Sequence, residues 1–129
     1  MGQQSASGSG STVLVIDDDA DVRVAAERVL RRHGFAVLVA SGGVEGIELL
    51  QREAGIGIVL LDLNMPGLGG AETAREVVRI NPAIRLIAMS GDTEPEVRAG
   101  LRGVDLAGFV PKPFTIGELL AVVDGLRGG

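Results

Sequence analysis

Short aliphatic runs alternate with amphipathic helical patterns along almost the whole chain. Five runs predict strands, at residues 13–16, 35–39, 58–61, 86–89 and, more briefly, 109–110. Between them, and after the last, apolar residues recur at the i, i+3, i+4, i+7 spacing of helices that bury one face. The strand runs are apolar throughout, and mostly aliphatic, rather than alternating with polar residues. This is typical of strands buried on both faces of a parallel sheet.

The helical spacing assigns a set of apolar residues to the core faces of the helices: Val22 and Ala25 in the first, Val44 in the second, Val97, Leu101 and Val104 in the fourth, and Ile116 in the fifth. Asp19 is expected to be the N-cap of the first helix, and Thr93–Glu96 and Thr115–Glu118 have the spacing of capping boxes. The glycines of the fourth helix predict that it is the weakest of the set.

Strict alternation of strands and helices favours right-handed crossovers, which place helices on both faces of a parallel sheet. The sequence therefore predicts an α/β fold, a three-layer sandwich around a doubly wound five-stranded parallel sheet. A chain of 129 residues has the length of one domain, which we place at residues 12–127. Residues 1–11 are rich in Gly, Ser and Gln and predict a disordered tail or linker.

Composition excludes several classes of function. The chain has no cysteine, so neither a disulfide nor a thiolate-bound metal is possible. Its net charge of −5 argues against nucleic-acid binding, which needs a basic surface. No apolar run approaches the ~20 residues of a membrane span, and the N-terminus lacks a secretory signal. We therefore expect a cytoplasmic protein with no direct membrane contact.

Acidic residues directly follow two of the predicted strands. Asp17 and Asp18 come after the first strand, and Asp62 comes after the third. Parallel strands end at the same edge of a sheet, so these carboxylates are expected to share a crevice, where like charges repel. The acidic residues alone leave two interpretations open. They form either a solvated sheet edge or a site for Mg²⁺, which prefers oxygen ligands.

Two further strand ends carry polar groups. Ser90, followed by Gly91, ends the fourth strand, and Lys112 follows the fifth. Taken singly, a surface lysine and a turn serine are common and need no special function. However, Lys112 is the only lysine of the chain, and its ammonium can reach across the same edge to a phosphoryl group or to Asp62. The combination favours a phosphoryl-binding site over a solvated edge.

Together these motifs resemble the receiver domain of bacterial two-component response regulators. The resemblance rests on Asp17-Asp18, on Asp62 followed by Asn64-Met65-Pro66, on Ser90-Gly91 and on Lys112-Pro113-Phe114, in that order. It covers residues 12 to about 126. The resemblance, rather than the alternation of elements, implies the strand order 2-1-3-4-5 for the sheet.

The resemblance also implies the chemistry of the site. Asp62 would accept a phosphoryl group from the phosphohistidine of a histidine kinase or of a histidine phosphotransfer protein. Mg²⁺ would be held by Asp18, Asp62 and the backbone carbonyl of Asn64, with Asp17 acting mainly through water. The domain would assist its own phosphorylation and dephosphorylation and would not be an enzyme. Asn64 and Asp92 flank the site in a way that predicts a short-lived phosphoryl state.

A conformational response is the other implication of the resemblance. Lys112 would pair with the phosphoryl oxygens, and Ser90, followed by Gly91, would move inward to donate a hydrogen bond. Phe109 would be the switch aromatic, at a position where the family usually has Tyr. The face formed by the fourth helix, fifth strand and fifth helix would then repack. The domain is expected to be a monomer or a weak dimer through that face, with a cis Lys112–Pro113 peptide.

Alternative functions are also considered. We favour the receiver of a hybrid histidine kinase, because the Ser-Gly-rich start and Met89-Ser90-Gly91 resemble such receivers; the alternative is a stand-alone single-domain regulator. A Mg²⁺-dependent aspartyl phosphatase usually has a second carboxylate two residues after its nucleophile, where this chain has Asn64. A flavodoxin-like flavin carrier would use Trp or Tyr, and the chain has neither. The intact acidic set disfavours a receiver used only for docking.

Overall fold

The computed structural model describes residues 12–67 and 69–127, so the predicted tail at 1–11 lies outside the described residues. Within these ranges, strands and helices alternate strictly along the chain. The strands are β1 (Thr12–Ile16), β2 (Ala36–Ala40), β3 (Ile56–Asp62), β4 (Arg85–Ser90) and β5 (Leu106–Pro111). The helices are α1 (Ala20–Arg32), α2 (Gly43–Arg52), α3 (Gly70–Ile80), α4 (Glu94–Gly100) and α5 (Ile116–Arg127).

The five strands form one parallel sheet in the order β2-β1-β3-β4-β5. This confirms the predicted doubly wound topology and the implied strand order. The chain reverses its direction of winding between β1 and β3, which are therefore neighbours at the centre of the sheet. All of β3 is buried, as expected for a central strand with a continuous aliphatic sequence. The carboxyl edge beside β1 and β3 is the switch point at which such sheets bind ligands.

Helices cover both faces of the sheet and confirm the three-layer sandwich. Alternate side chains of β1 enter the two hydrophobic layers, because successive residues of a strand point to opposite faces. Val13 and Val15 pack with residues of α1 and α5, whereas Leu14 and Ile16 pack with residues of α2, α3 and α4. In the described part of the chain, none of these helices is long and apolar enough to cross a membrane.

Three of the helices, α1, α4 and α5, start at the capping signals of the sequence. The Asp19 side chain accepts a hydrogen bond from the backbone N–H of Asp21 and is the N-cap of α1, as predicted. Thr93 and Glu96 form the predicted capping box of α4. A matching box opens α5, where the Glu118 N–H donates to Thr115 Oγ1 at 3.1 Å.

The packing of α2 differs from its sequence pattern. Val44 was expected to mark the core face of this helix, but it is 62% exposed. The buried residues are instead Gly43, Gly46 and Leu50. A Cβ on Gly46 would lie 2.4 Å from the Cδ1 atom of Ile16, so the helix approaches β1 through its glycines. Because α2 packs against β1 with its glycines facing the sheet, Val44 faces solvent.

Helix α4 is the shortest of the five and ends before its apolar pattern does. Val97 is buried within it, but Leu101 is its C-cap and Val104 lies beyond the helix. Gly103 has a φ of +89°, a left-handed conformation that glycine adopts without steric cost, and it turns the chain toward β5. The expectation that α4 would be the weakest helix agrees with its seven-residue length.

Candidate functional site

Four strand ends bring polar side chains together at the carboxyl edge of the sheet. Asp17 directly follows β1, Asp62 ends β3, Ser90 ends β4 and Lys112 follows β5. The parallel register sets Asp62 beside Met89 and Ser90 beside Pro111. Each of these side chains was predicted at a strand end from the sequence, and the sheet order places them in one crevice.

Lys112 forms ion pairs with both buried carboxylates of this crevice. Its Nζ atom lies 3.1 Å from Asp17 Oδ2 and 3.2 Å from Asp62 Oδ2. Asp17 is completely buried and Asp62 is 2% exposed. Buried charges are strongly unfavourable unless they are paired and hydrogen-bonded. The lysine therefore does more than occupy the surface, since it bridges carboxylates from β1 and β3.

The protonation of Lys112 follows from the same contacts. Burial lowers the pKa of Lys112, but the hydrogen bond and charge of Asp17, together with those of Asp62, outweigh this and raise the pKa above its ordinary value. The side chain is therefore an ammonium at neutral pH. Its backbone N–H donates to the carbonyl of Ser90 at 2.8 Å, which ties the end of β5 to the end of β4. The Lys112–Pro113 peptide is cis, as the resemblance implied.

Backbone amides hold the second oxygen of each buried carboxylate. The N–H of Asp19 donates to Asp17 Oδ1 at 2.9 Å. The N–H of Asn64 donates to Asp62 Oδ1, also at 2.9 Å. Both contacts span two residues and form tight local turns immediately after a strand. Each carboxylate is thus oriented by an amide on one oxygen and by Lys112 on the other.

The third carboxylate, Asp18, differs from the other two in being exposed. Ligand oxygens of Asp17, Asp18 and Asp62 nevertheless lie within 4.8 Å of one another. A set of carboxylates, one of them open to water, suits a hard cation such as Mg²⁺, which keeps several water ligands. The predicted acidic cluster is therefore present with the donor chemistry of a receiver metal site.

Asn64 and the residues after β4 link the two loops that border the crevice. The side-chain carbonyl of Asn64 accepts a hydrogen bond from the N–H of Gly91 at 3.2 Å. Ser90 is buried, and its Oγ accepts a hydrogen bond from the N–H of Asp92 at 3.0 Å. Phe109 is half-buried in β5 and packs against the hydrophobic layer that contains α4. The predicted phosphoryl-binding residues are thus adjacent, while Phe109 lies within the sheet behind them.

Sequence reasoning missed Arg23, which closes the first turn of α1. Its Nη1 atom donates to the backbone carbonyl of Asp17 at 2.8 Å. The signal available in the sequence was an arginine six positions after Asp17, beside the apolar stripe of this helix. Such a residue is easily assigned to a solvated face, because helical periodicity does not show that the side chain turns back toward the preceding strand.

An apolar cleft beside Lys112 was also missed. It has a volume of about 530 Å³ and opens between the start of α1 and the loop that joins β5 to α5. Its apolar lining comes from Val22, Ala25, Phe114 and Ile116. Helical spacing had assigned Val22, Ala25 and Ile116 to the core, but Ala25 and Ile116 are exposed.

Comparisons with known proteins agree with this arrangement. A family model described as the response regulator receiver domain matches residues 13–124. Sensor kinase CckA of Brucella abortus is 36% identical over 118 residues, which are 91% of this chain and 12% of that protein. Response regulator MprA of Mycobacterium leprae is 35% identical over 116 residues, covering 88% of this chain and 50% of that protein. The chain therefore spans half or less of these curated relatives.

Solved structures show the same fold. A response regulator receiver protein from Pseudomonas putida superimposes with a TM-score of 0.81 at 30% identity, covering 90% of this chain and 97% of that one. Chemotaxis protein CheY4 of Vibrio cholerae superimposes with a TM-score of 0.83 at 24% identity, covering 90% and 98% of the two chains. The second likeness concerns the fold alone.

Proposed function

This chain belongs to the response regulator receiver domain family, whose members are signalling phosphoacceptors rather than enzymes, and from that premise we propose that Asp62 is its phosphorylated residue. The observation that carries the proposal is the placement of the Asp62 carboxylate. It is buried at the end of β3, held by the Asn64 amide on one oxygen and by Lys112 on the other. We propose residues 12–127 as the extent of the receiver domain.

The phosphoryl donor in this proposal is the phosphohistidine of a histidine kinase or of a histidine phosphotransfer protein. An oxygen of Asp62 attacks phosphorus, the phosphorus–nitrogen bond breaks, and its electron pair returns to the imidazole, which takes up a proton. Asp62 then carries an acyl phosphate. Lys112, already 3.2 Å from Asp62 Oδ2, pairs with the transferred oxygens. Catalysis of such transfers rests on positioning and on neutralisation of charge, both of which this geometry offers.

Mg²⁺ is the proposed cofactor, and Asp18, Asp62 and the backbone carbonyl of Asn64 are its proposed ligands, with Asp17 acting through water. When bound, the ion supplies positive charge against the carboxylates and the phosphoryl oxygens. The chain itself contributes the placement of these groups. Asp17 is fixed by Lys112 and by the Asp19 amide, whereas Asp18 stays open to water.

Phosphorylation changes the charge in the crevice, and the conformational switch follows from this change. The single negative charge of the Asp62 carboxylate is replaced by an acyl phosphate that carries about −1.5 to −2 at the end of β3. Lys112 turns toward the new oxygens, and Ser90 exchanges its contact with the Asp92 amide for a hydrogen bond that it donates to the phosphoryl group. Because the Lys112 N–H donates a hydrogen bond to the Ser90 carbonyl, the carboxyl ends of β4 and β5 shift together. The α4-β5-α5 face, including Phe109, then populates its second state.

The apolar cleft beside Lys112 supports docking of the donor protein. Val22, Phe114 and Ile116 border the crevice on the side of α1. We infer that an aliphatic side chain next to the donor histidine enters this cleft. The variant Ile116→Asp should slow transfer from a phosphorylated kinase but leave labelling by acetyl phosphate unchanged. Equal losses with both donors would contradict docking at this cleft.

The context of the domain is a separate part of the proposal. The similarity to sensor kinase CckA supports a receiver within a hybrid histidine kinase, and we propose that the domain lies in the cytoplasm. The similarity to response regulator MprA supports a response regulator instead. The chain covers half of that protein. We favour the hybrid kinase. Phosphotransfer profiling against a panel of purified kinases and phosphotransfer proteins would identify the cognate donor.

Labelling with radioactive acetyl phosphate in the presence of Mg²⁺ tests the central assignment. We expect the wild type to take up label, Asp62→Ala to take up none and Lys112→Ala to take up much less. Asp105→Ala is the matched control, because Asp105 is an exposed carboxylate at the opposite edge of the sheet and should label normally. Label that persists in Asp62→Ala would refute the assignment.

A phosphatase with an aspartyl intermediate is the second candidate function. A turnover assay with phosphate esters distinguishes it from a receiver. A receiver accepts one phosphoryl group at its aspartate, whereas a phosphatase turns over many equivalents of a phosphate ester, so multiple turnovers would contradict the receiver function. Asn64 and Asp92 border the acceptor, and we expect them to make the phosphoryl state short-lived. Phosphorylated Asp62 that survives for many hours in native Mg²⁺ buffer would contradict this expectation.

A further inference from the structure

Every polar atom of Asp17 takes part in a hydrogen bond. Its N–H donates to the carbonyl of Ala40 at 3.1 Å and forms the last bond between β1 and the end of β2. Its two carboxylate oxygens accept from the Asp19 amide and from Lys112. Its backbone carbonyl accepts from Arg23 Nη1 at 2.8 Å. Buried backbone carbonyls need such a partner, and past the end of a strand the sheet no longer supplies it.

Asp18 is in the opposite situation. It is exposed, and among the described residues no hydrogen-bond partner reaches its carboxylate. The position of this carboxylate therefore depends on where the backbone places the Cα atom of Asp18. The peptide that joins Asp17 to Asp18 is planar, so fixing its oxygen also fixes the direction of the Asp18 N–H and Cα. The bond from Arg23 fixes that oxygen.

We propose that Arg23 is a positioning residue that orients the Asp17–Asp18 peptide and thereby presents Asp18 to a divalent cation. The proposal rests on the proposed function, since it concerns the cation site of the same crevice. Arg23 does not itself touch the cation or the phosphoryl group. It acts through the carbonyl of Asp17, from the first turn of α1, and a side chain without a donor at position 23 removes this restraint on the orientation of the peptide.

The electrostatic effect of Arg23 has the opposite sign, and this makes the proposal testable. A positive charge close to an acidic crevice repels Mg²⁺, so its removal alone would tighten binding of the cation. Loss of orientation weakens binding instead, because residues that orient metal ligands typically contribute a factor of roughly ten or more to affinity. The sign of the change therefore separates charge from positioning.

Titration of the metal-free chain with Mg²⁺, followed by isothermal calorimetry and by amide NMR spectra, is the experiment. We expect Arg23→Met to weaken Mg²⁺ binding about tenfold. Arg28→Met is the matched control, because Arg28 is an exposed arginine of the same helix and its loss changes the net charge equally. That variant should bind Mg²⁺ as the wild type does or slightly more tightly. Arg23→Lys, which keeps the charge but lacks the planar fork of donors, should also bind more weakly.

Two further readouts distinguish positioning from general damage. In metal-free Arg23→Met the Asp18 and Asp19 amide resonances should move, while those of β3 and β4 stay in place and urea unfolding confirms a folded chain. Labelling by acetyl phosphate should be slow at low Mg²⁺ and should return to the wild-type rate at saturating Mg²⁺. Mg²⁺ binding in Arg23→Met that is as tight as in Arg28→Met would overturn the proposal. A wild-type chain that binds no Mg²⁺ would overturn both this proposal and the cation site of the proposed function.

Discussion

At the scale of single residues, Lys112 provides the ion pairs of the crevice and a titratable group of the alkaline range. It is the only lysine among twelve basic residues, and the chain contains neither tyrosine nor cysteine. Its side chain is 25% exposed, and its ammonium contacts two carboxylates that are almost completely buried. Arginine side chains stay protonated beyond pH 12, and the terminal amine titrates near pH 8. Lys112 is therefore the side chain that titrates in the alkaline range between them.

The alkaline stability of the chain should follow the titration of Lys112. Its pKa in the folded protein is raised above 10.5, so its ion pairs contribute stability that is complete below that value. This stability is lost as the pH rises through the folded pKa. Urea unfolding of the wild type should show a falling free energy of unfolding between about pH 10 and 12. Lys112→Met should be less stable at pH 8 but nearly independent of pH in that range; parallel pH profiles for the two proteins would contradict the assignment.

At the scale of elements, the start of α3 is tied closely to the loop that follows Asp62. Gly69 is the N-cap and offers no side chain, but its own N–H donates to Glu72 Oε1 at 3.2 Å. Half of a capping box thus opens this helix without Ser, Thr or Asp. A Cβ on Gly70 would lie 2.5 Å from the Cα of Leu63 and 2.7 Å from its carbonyl oxygen. The helix can approach the loop of the site only because position 70 is glycine.

Gly70→Ala should therefore destabilise the fold, although alanine is the better helix former. Overpacking against rigid backbone costs about 1–3 kcal/mol, more than the gain of up to about 1 kcal/mol from helix propensity. Gly125→Ala is the control, since Gly125 lies in α5 with nothing within 4 Å of the added methyl, and it should stabilise the chain. Thermal unfolding of both variants would measure the contrast. If Gly70→Ala were as stable as Gly125→Ala, the Leu63 backbone would have to move away from the added methyl group at little energetic cost.

Helix α4 depends on its cap because it has only seven residues and buries little besides Val97. The Thr93 side chain accepts from the Glu96 N–H, while the Thr93 N–H and hydroxyl donate to Glu96. We expect Thr93→Ala to lower stability by about 1 kcal/mol and to speed amide exchange in α4. Thr93→Ser keeps the cap and should behave as the wild type. Unchanged exchange in Thr93→Ala would mean that packing, not the cap, holds this helix.

For the whole molecule, cation binding and folding are linked through the three carboxylates. The crevice forms only when β1 and β3 are paired, so a cation that binds it stabilises the folded chain. At a Mg²⁺ concentration one hundred times the dissociation constant, the free energy of unfolding should rise by about 2.7 kcal/mol. Asp18→Asn should remove most of this gain, and Asp105→Asn should keep it. Thermal unfolding at several Mg²⁺ concentrations would show the difference, and equal shifts in both variants would place the cation elsewhere.

Most of the architecture could be predicted because it depends on local patterns. Continuous aliphatic runs such as Ile58–Leu61 predict strands buried on both faces, and Asp19, Thr93 and Thr115 mark helix starts through their own hydrogen-bonding chemistry. The errors fall where contacts between elements override the local pattern. Val44 was assigned to the core by its spacing, but the close packing of Gly46 on Ile16 turns it outward.

The sequence alone determined which groups end the strands: carboxylates after the first and third, a hydroxyl after the fourth and the single lysine after the fifth. It could not determine their mutual distances, because residues 17 and 112 are far apart in the chain and meet only through the order of the sheet. Tertiary structure decided that Lys112 bridges Asp17 and Asp62 within 3.2 Å. It also decided that Arg23 turns back onto the carbonyl of Asp17. Helical periodicity indicates which face a residue occupies, whereas the direction of a long side chain depends on the groups that surround it in the fold.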